Sequence, residues 1–190
     1  MLTQANVNDD IRMVSEHLSE ANRALVRPLE ALKAAFFFPA IIIVGYIVAL
    51  AYTKITYTPY VDGFGNVVSF SRSMGAEIAT NCFGMLFAVI IGLSLYGPSL
   101  AYLSVPEKVR RDSLILSSLR STGRKAAIVL VLINWCVALM GVLINSIFLC
   151  ASPAMLLLSI FFIQWIINSE ITRYGFSTVL EKLNKVLKKI

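Results

Sequence analysis

No Asp, Glu, Lys or Arg occurs in residues 34–53, 78–106 or 126–169, windows of 20, 29 and 44 residues. A helix needs roughly 20 apolar residues to cross the hydrocarbon core of a bilayer. The first two windows therefore each hold one span, and the third holds two. A soluble helical bundle would need charged faces recurring at the 3.6-residue period inside these windows, and they have none. The whole chain is 57% hydrophobic and 15% charged, against about 25% charged in ordinary soluble domains. The expected fold class is an all-α integral membrane protein with about four transmembrane helices, at residues 34–52, 78–103, 126–150 and 154–168. No ordinary signal peptide is expected, because the first apolar run follows some 33 polar or amphipathic residues. Ala49-Leu50-Ala51 matches a cleavage pattern, but span 1 reads as an uncleaved anchor.

Before the spans, residues 1–33 form a cytoplasmic segment whose main feature is an amphipathic helix. Ile11, Val14, Leu18, Ala21, Leu25 and Leu32 follow 3–4 spacing, Asn8 is placed to cap the helix, and Asp9 and Asp10 sit at the positive end of its dipole. Pro28 is expected to kink it. Residues 53–77 form the single sizeable external loop. Two β-prone stretches flank Asp62-Gly63-Phe64-Gly65-Asn66, which predicts a small hairpin. In span 2, Gly97-Pro98 is the expected break. Residues 104–125 form a cytoplasmic helical loop, started by a Ser104 and Glu107 capping box and ending near Gly123. Spans 3 and 4 form a C-terminal helical hairpin turning at Ala151-Ser152-Pro153, with span 4 able to extend past Glu170 and Arg173. The tail, residues 169–190, ends in a second amphipathic helix whose Lys182, Lys185, Lys188 and Lys189 suit anionic headgroups.

Lys and Arg number four before span 1, two in the external loop, six between spans 2 and 3, none in the last turn and five in the tail. Positive charge marks the cytoplasmic side. This alternation predicts both termini and the middle loop inside, in a multi-pass protein of the inner (plasma) membrane. The net charge of +6 is then a topology signal, and nucleic acid is not an expected partner.

Ionisable residues within spans would be candidate functional groups, and the central parts of these spans contain none. That argues against proton coupling, voltage sensing and charge-lined cation pores. Cys82, Cys136 and Cys150 lack metal spacing, and His17 is the only histidine. Ser94 and Ser99 have no evident base, so no catalytic residue, metal or cofactor is expected. Small residues recur every four positions in span 2 at Ala76, Thr80, Gly84, Ala88 and Gly92, with a shorter version at Gly45 and Ala49. Such a face lets helix backbones approach closely, within the bundle or between copies in a homo-oligomer, and packing within the bundle is the preferred reading. Asn134 and Asn168 fall at similar depth if the turn lies at 151–153, and are expected to hydrogen-bond across spans 3 and 4.

Recognition remains as the function. Tyr57, Tyr60, Phe64 and Phe70 crowd the external loop, where aromatic side chains serve either as partner-binding anchors or as an interfacial belt. The layout of charged N-terminal segment, several spans and basic tail resembles two groups of small bacterial inner-membrane proteins. These are the entry-exclusion proteins of conjugative plasmids, in the TraS manner, and the immunity proteins against pore-forming bacteriocins. The resemblance is one of layout along the whole chain and assigns no residue a role. It implies contact with another membrane or envelope protein, without catalysis. A structural subunit of a secretion or transport complex and a small-solute channel or transporter are the alternatives.

Overall fold

The computed structural model describes residues 6, 8–10, 12–13 and 26–173. The expected stripe from Val14 to Leu25 and the basic tail helix lie outside the described residues. Helix α1 spans Pro28–Thr56, and a two-stranded antiparallel hairpin follows, β1 (Tyr60–Val61) and β2 (Val67–Val68). A short helix, α2 (Phe70–Ser73), leads into α3 (Gly75–Ser104). After it come α4 (Glu107–Asp112), α5 (Leu114–Leu143), a 3-10 segment (Ser146–Ala151) and α6 (Ser152–Arg173). Among the described residues four helices are long and apolar enough to cross a membrane: α1, α3, α5 and α6, the last counted with its 3-10 lead-in.

These helices meet around a narrow core that includes Ile42, Tyr46, Ile91, Ala138, Leu149 and Leu156. The most extensive packing is between α1 and α3. Most large apolar side chains nevertheless point outward, among them Phe37, Val48, Leu93, Leu132 and Phe161. Water would penalise that surface by roughly 25 cal/mol for each Å² of apolar area. A hydrocarbon solvent removes the penalty.

Close approach of α1 and α3 depends on small residues. A Cβ at Gly92 would lie 2.6 Å from the Phe36 ring, and one at Gly84 would lie 3.2 Å from the Ile43 side chain of α1 and 3.0 Å from the Ser152 hydroxyl of α6. Gly84, Ala88 and Gly92 are buried inside the bundle, whereas Ala76 and Thr80, nearer the helix start, are not. Gly45 serves a different neighbour: the Trp135 ring of α5 occupies the space its side chain would need. The Trp135 Nε1–H donates to the Ile41 carbonyl at 2.9 Å.

Several element boundaries differ from the sequence expectation. Pro28 does not kink a helix but begins one, at the first position of α1, where its missing N–H costs nothing. Helix α3 continues through Pro98 to Ser104. Proline removes one backbone donor there, near the helix end, without stopping the helix. Ser104 does not cap α4: its hydroxyl donates back to the Leu100 carbonyl at 2.8 Å, and Pro106 holds the cap position without a side-chain bond. The helical loop breaks at Ser113, whose Oγ accepts from the Leu116 amide at 3.2 Å. From there α5 runs unbroken through Gly123 into the apolar window.

The last turn falls at Ile144-Asn145 and not at residues 151–153. Asn145 Oδ1 accepts from the Ile147 amide at 3.0 Å and starts the 3-10 segment, while Pro153 sits in the first turn of α6. Moving the turn earlier changes the register between the last two helices. Asn134 consequently donates to Ser159 Oγ and to the Leu130 carbonyl, each at 2.8 Å, and Asn168 is exposed. The expected Asn134–Asn168 pair does not form. Helix α6 does extend past Glu170 to Arg173, and the two side chains pair at 3.5 Å. The Ser118 hydroxyl of α5 donates to Glu170 Oε1 at 3.3 Å.

Asp10 also differs from expectation. Its carboxylate accepts from the Ser113 hydroxyl at 2.8 Å and from the amides of Leu114 and Ile115, each at 3.1 Å. Asp10 thus serves the positive end of α5, and it fastens the N-terminal segment to the joint between α4 and α5.

Candidate functional site

The hairpin between α1 and α3 is built around one carboxylate. Asp62 Oδ1 accepts from the amides of Phe64 and Asn66, both at 2.9 Å, and the Asn66 side-chain amide donates to Oδ2 at 3.4 Å. The backbone closes the same loop, with the Asp62 amide donating to the Asn66 carbonyl at 2.9 Å and the Gly65 amide to the Asp62 carbonyl at 3.0 Å. Aspartate suits this place because its short side chain reaches backbone amides two residues on. Gly65 has φ +84°, a left-handed conformation that glycine adopts without strain. The Asn66 backbone amide holds the Asp62 carboxyl below the usual carboxylate range, with the Phe64 amide and the Asn66 side chain adding to the effect.

The four aromatic candidates divide into two pairs. Tyr57 and Phe70 pack edge-to-face at 5.5 Å between ring centroids, and the Tyr57 hydroxyl donates to the Val68 carbonyl at 2.9 Å. With buried Val68 they form the foot of the hairpin. Tyr60 and Phe64 face outward. Tyr60 is 54% exposed and Phe64, at the tip, is 93% exposed. Val61 and Val67, paired across the strands, extend the exposed apolar patch. Tyr57 and Phe70 therefore hold the platform, and Tyr60 and Phe64 present it.

Such a surface is suited to binding through apolar and aromatic contact. The helix-packing residues Gly84, Ala88 and Gly92, together with Asn134, lie inside the bundle and not at this surface. Between α1 and α5 lies an apolar groove of about 440 Å³, walled by Val44, Val48, Tyr52, Trp135 and Leu139 among others. It too is lined mainly by hydrocarbon.

Three carboxylates bear more structural weight than the sequence reading assigned them. Asp62 was visible only as part of a turn signal, although an aspartate opening a glycine-rich turn is itself an indication of side-chain-to-backbone bonding. Glu77 marks the edge of the second charge-free window, and Asp10 lies 103 residues from the Ser113 hydroxyl it accepts from. No local pattern reveals that last contact.

Comparison with protein-family models, with curated proteins and with solved structures finds no match for this chain.

Proposed function

We propose that the chain is a multi-pass inner-membrane protein that acts without catalysis, by protein–protein recognition through the hairpin. Most concretely, it is an entry-exclusion protein that blocks an incoming conjugation apparatus by contact. The observation that carries the recognition reading is Phe64. A phenylalanine 93% exposed to solvent, on a turn where its own amide and that of Asn66 donate to the Asp62 carboxylate, incurs a hydration cost with no internal packing in return. Aromatic residues held rigid in this way anchor interfaces well, because little conformational freedom is lost on binding. The exclusion reading rests additionally on the layout of the chain, with the hairpin on the outer face, where donor-cell components arrive.

The test is a mating assay with recipient cells that produce the protein. Unaltered protein is expected to lower plasmid transfer, and the Tyr60→Ala, Phe64→Ala double variant to restore it at unchanged membrane levels. Tyr57→Phe deletes one hydrogen bond in the foot of the hairpin and is expected to keep most of the protection. Full protection by the double variant would sink recognition through the hairpin. If the unaltered protein leaves transfer unchanged, the exclusion assignment itself is wrong.

A further inference from the structure

At the hairpin end of the bundle a carboxylate is withdrawn from solvent without a cationic partner. Glu77, in the first turn of α3, is 8% exposed. Among the described residues the donor to its carboxylate is the Ser146 hydroxyl, 2.7 Å from Oε1. Lys54 and Arg72, the cations of the neighbouring loop, are both exposed. Burying an ionised carboxylate is costly unless it is paired and well hydrogen-bonded. The α3 N-terminus offsets part of the cost, and one neutral hydroxyl adds little more.

One helical turn further along α3 lies a buried acceptor that has no donor. Asn81 is 2% exposed; its Nδ2 donates to the Glu77 carbonyl at 2.8 Å and to the Leu149 carbonyl at 3.2 Å. Those two acceptors decide which way the amide faces, and they leave Oδ1 buried without a donor. A buried acceptor of this kind calls for an explanation, and an ion is one of the few available. A carboxylate with a hydroxyl as its donor and an amide oxygen with none thus both occur where α3 meets the 3-10 segment.

We propose that Glu77 and Asn81, with the Ser146 hydroxyl, bind a hard monovalent cation, with sodium as the ion whose charge matches the single carboxylate. Carboxylate, amide oxygen and hydroxyl are the donors that hard cations take. One negative charge suits a monovalent ion better than calcium, whose sites usually gather several carboxylates. Bound there, the ion pins the start of α3 to the joint between α5 and α6, directly beneath the hairpin. The assignment stands independently of any partner the hairpin binds.

The test uses the full chain purified in detergent, with helix melting followed by circular dichroism in sodium, potassium, choline or calcium chloride at matched ionic strength. The unfolding midpoint is expected to rise saturably with sodium relative to choline, and Glu77→Gln to abolish the rise. Glutamine keeps an oxygen that can accept from Ser146 and removes the charge. Ser146→Ala is the second variant, expected to raise the half-effective sodium concentration several-fold; an unchanged value overturns the three-residue site. A midpoint indifferent to cation identity in the unaltered chain overturns the proposal without any variant. So does a sodium response that survives Glu77→Gln. Stabilisation by calcium with none by sodium overturns the monovalent assignment.

Discussion

The Asp62 carboxylate collects backbone amides that would otherwise be satisfied by water, and the Asn66 amide is the main reason its pKa lies below the ordinary value. Because the folded value is the lower one, the stabilisation it lends the turn is complete at pH values above the unfolded-state pKa. It is lost as pH falls through the folded value. Exchange of the Phe64 and Asn66 amides, followed by NMR in detergent, is therefore expected to stay flat from neutral pH down to the ordinary carboxylate range and to accelerate below it, relative to the intrinsic rate. Asp10 caps the start of α5, where it is 7% exposed and accepts from one hydroxyl and two amides. Asp10→Ala is expected to cost about 1 kcal/mol, the usual value of a lost cap. Asp10→Asn should cost less, since one acceptor oxygen remains. Thermal unfolding of the two variants side by side checks the order. At this scale the sequence was informative about side-chain chemistry and silent about long-range partners. Tyr57 and Phe64 look alike in a list of loop aromatics, and the Tyr57 hydroxyl bond to Val68 and its packing on Phe70 tell the platform from the presented surface.

Helix number was legible because charge is excluded from hydrocarbon, and that rule acts on whole windows of sequence. Helix ends were less legible. Inside the 44-residue window Asn145-Ser146 is a quieter turn signal than a serine followed by proline, so Ser152-Pro153 drew the prediction. Proline has two readings, as a breaker inside a helix and as a preferred first-turn residue. Pro28 and Pro153 both take the second. Asn145, whose side chain caps the 3-10 segment, marks the real turn. Pro153→Ala is accordingly expected to change stability by less than about 1 kcal/mol, while Asn145→Ala costs about 1 kcal/mol through the lost cap. Denaturation of both variants in the same detergent decides between the two turn positions. If Pro153→Ala were instead the more damaging change, the turn would lie where proline first suggested. The same displacement explains Asn134: its register partner could be read correctly only with the turn in the right place.

For the molecule as a whole, the hairpin and the joint between α5 and α6 lie at one end of the bundle, while the contacts of Asp10 and Glu170 lie at the other. Lys and Arg follow the same division, being scarce at the first end and abundant at the second. The positive-inside rule predicts that the hairpin end faces outward. A cysteine introduced as Phe64→Cys should then react in intact spheroplasts with a membrane-impermeant maleimide, and one introduced as Leu114→Cys only after lysis. The reverse pattern would invert the topology and remove the hairpin from the outer surface. The native chain carries two indoles, Trp135 and Trp165, and they report on different surroundings. Trp135 lies over Gly45 with its N–H on the Ile41 carbonyl, whereas Trp165 stands on the outer side of α6, 69% exposed. Indole emission shifts with local polarity and hydrogen bonding. In a Trp165→Phe variant, any loosening of α1 from α5 is therefore readable as a change in Trp135 fluorescence, without an added label.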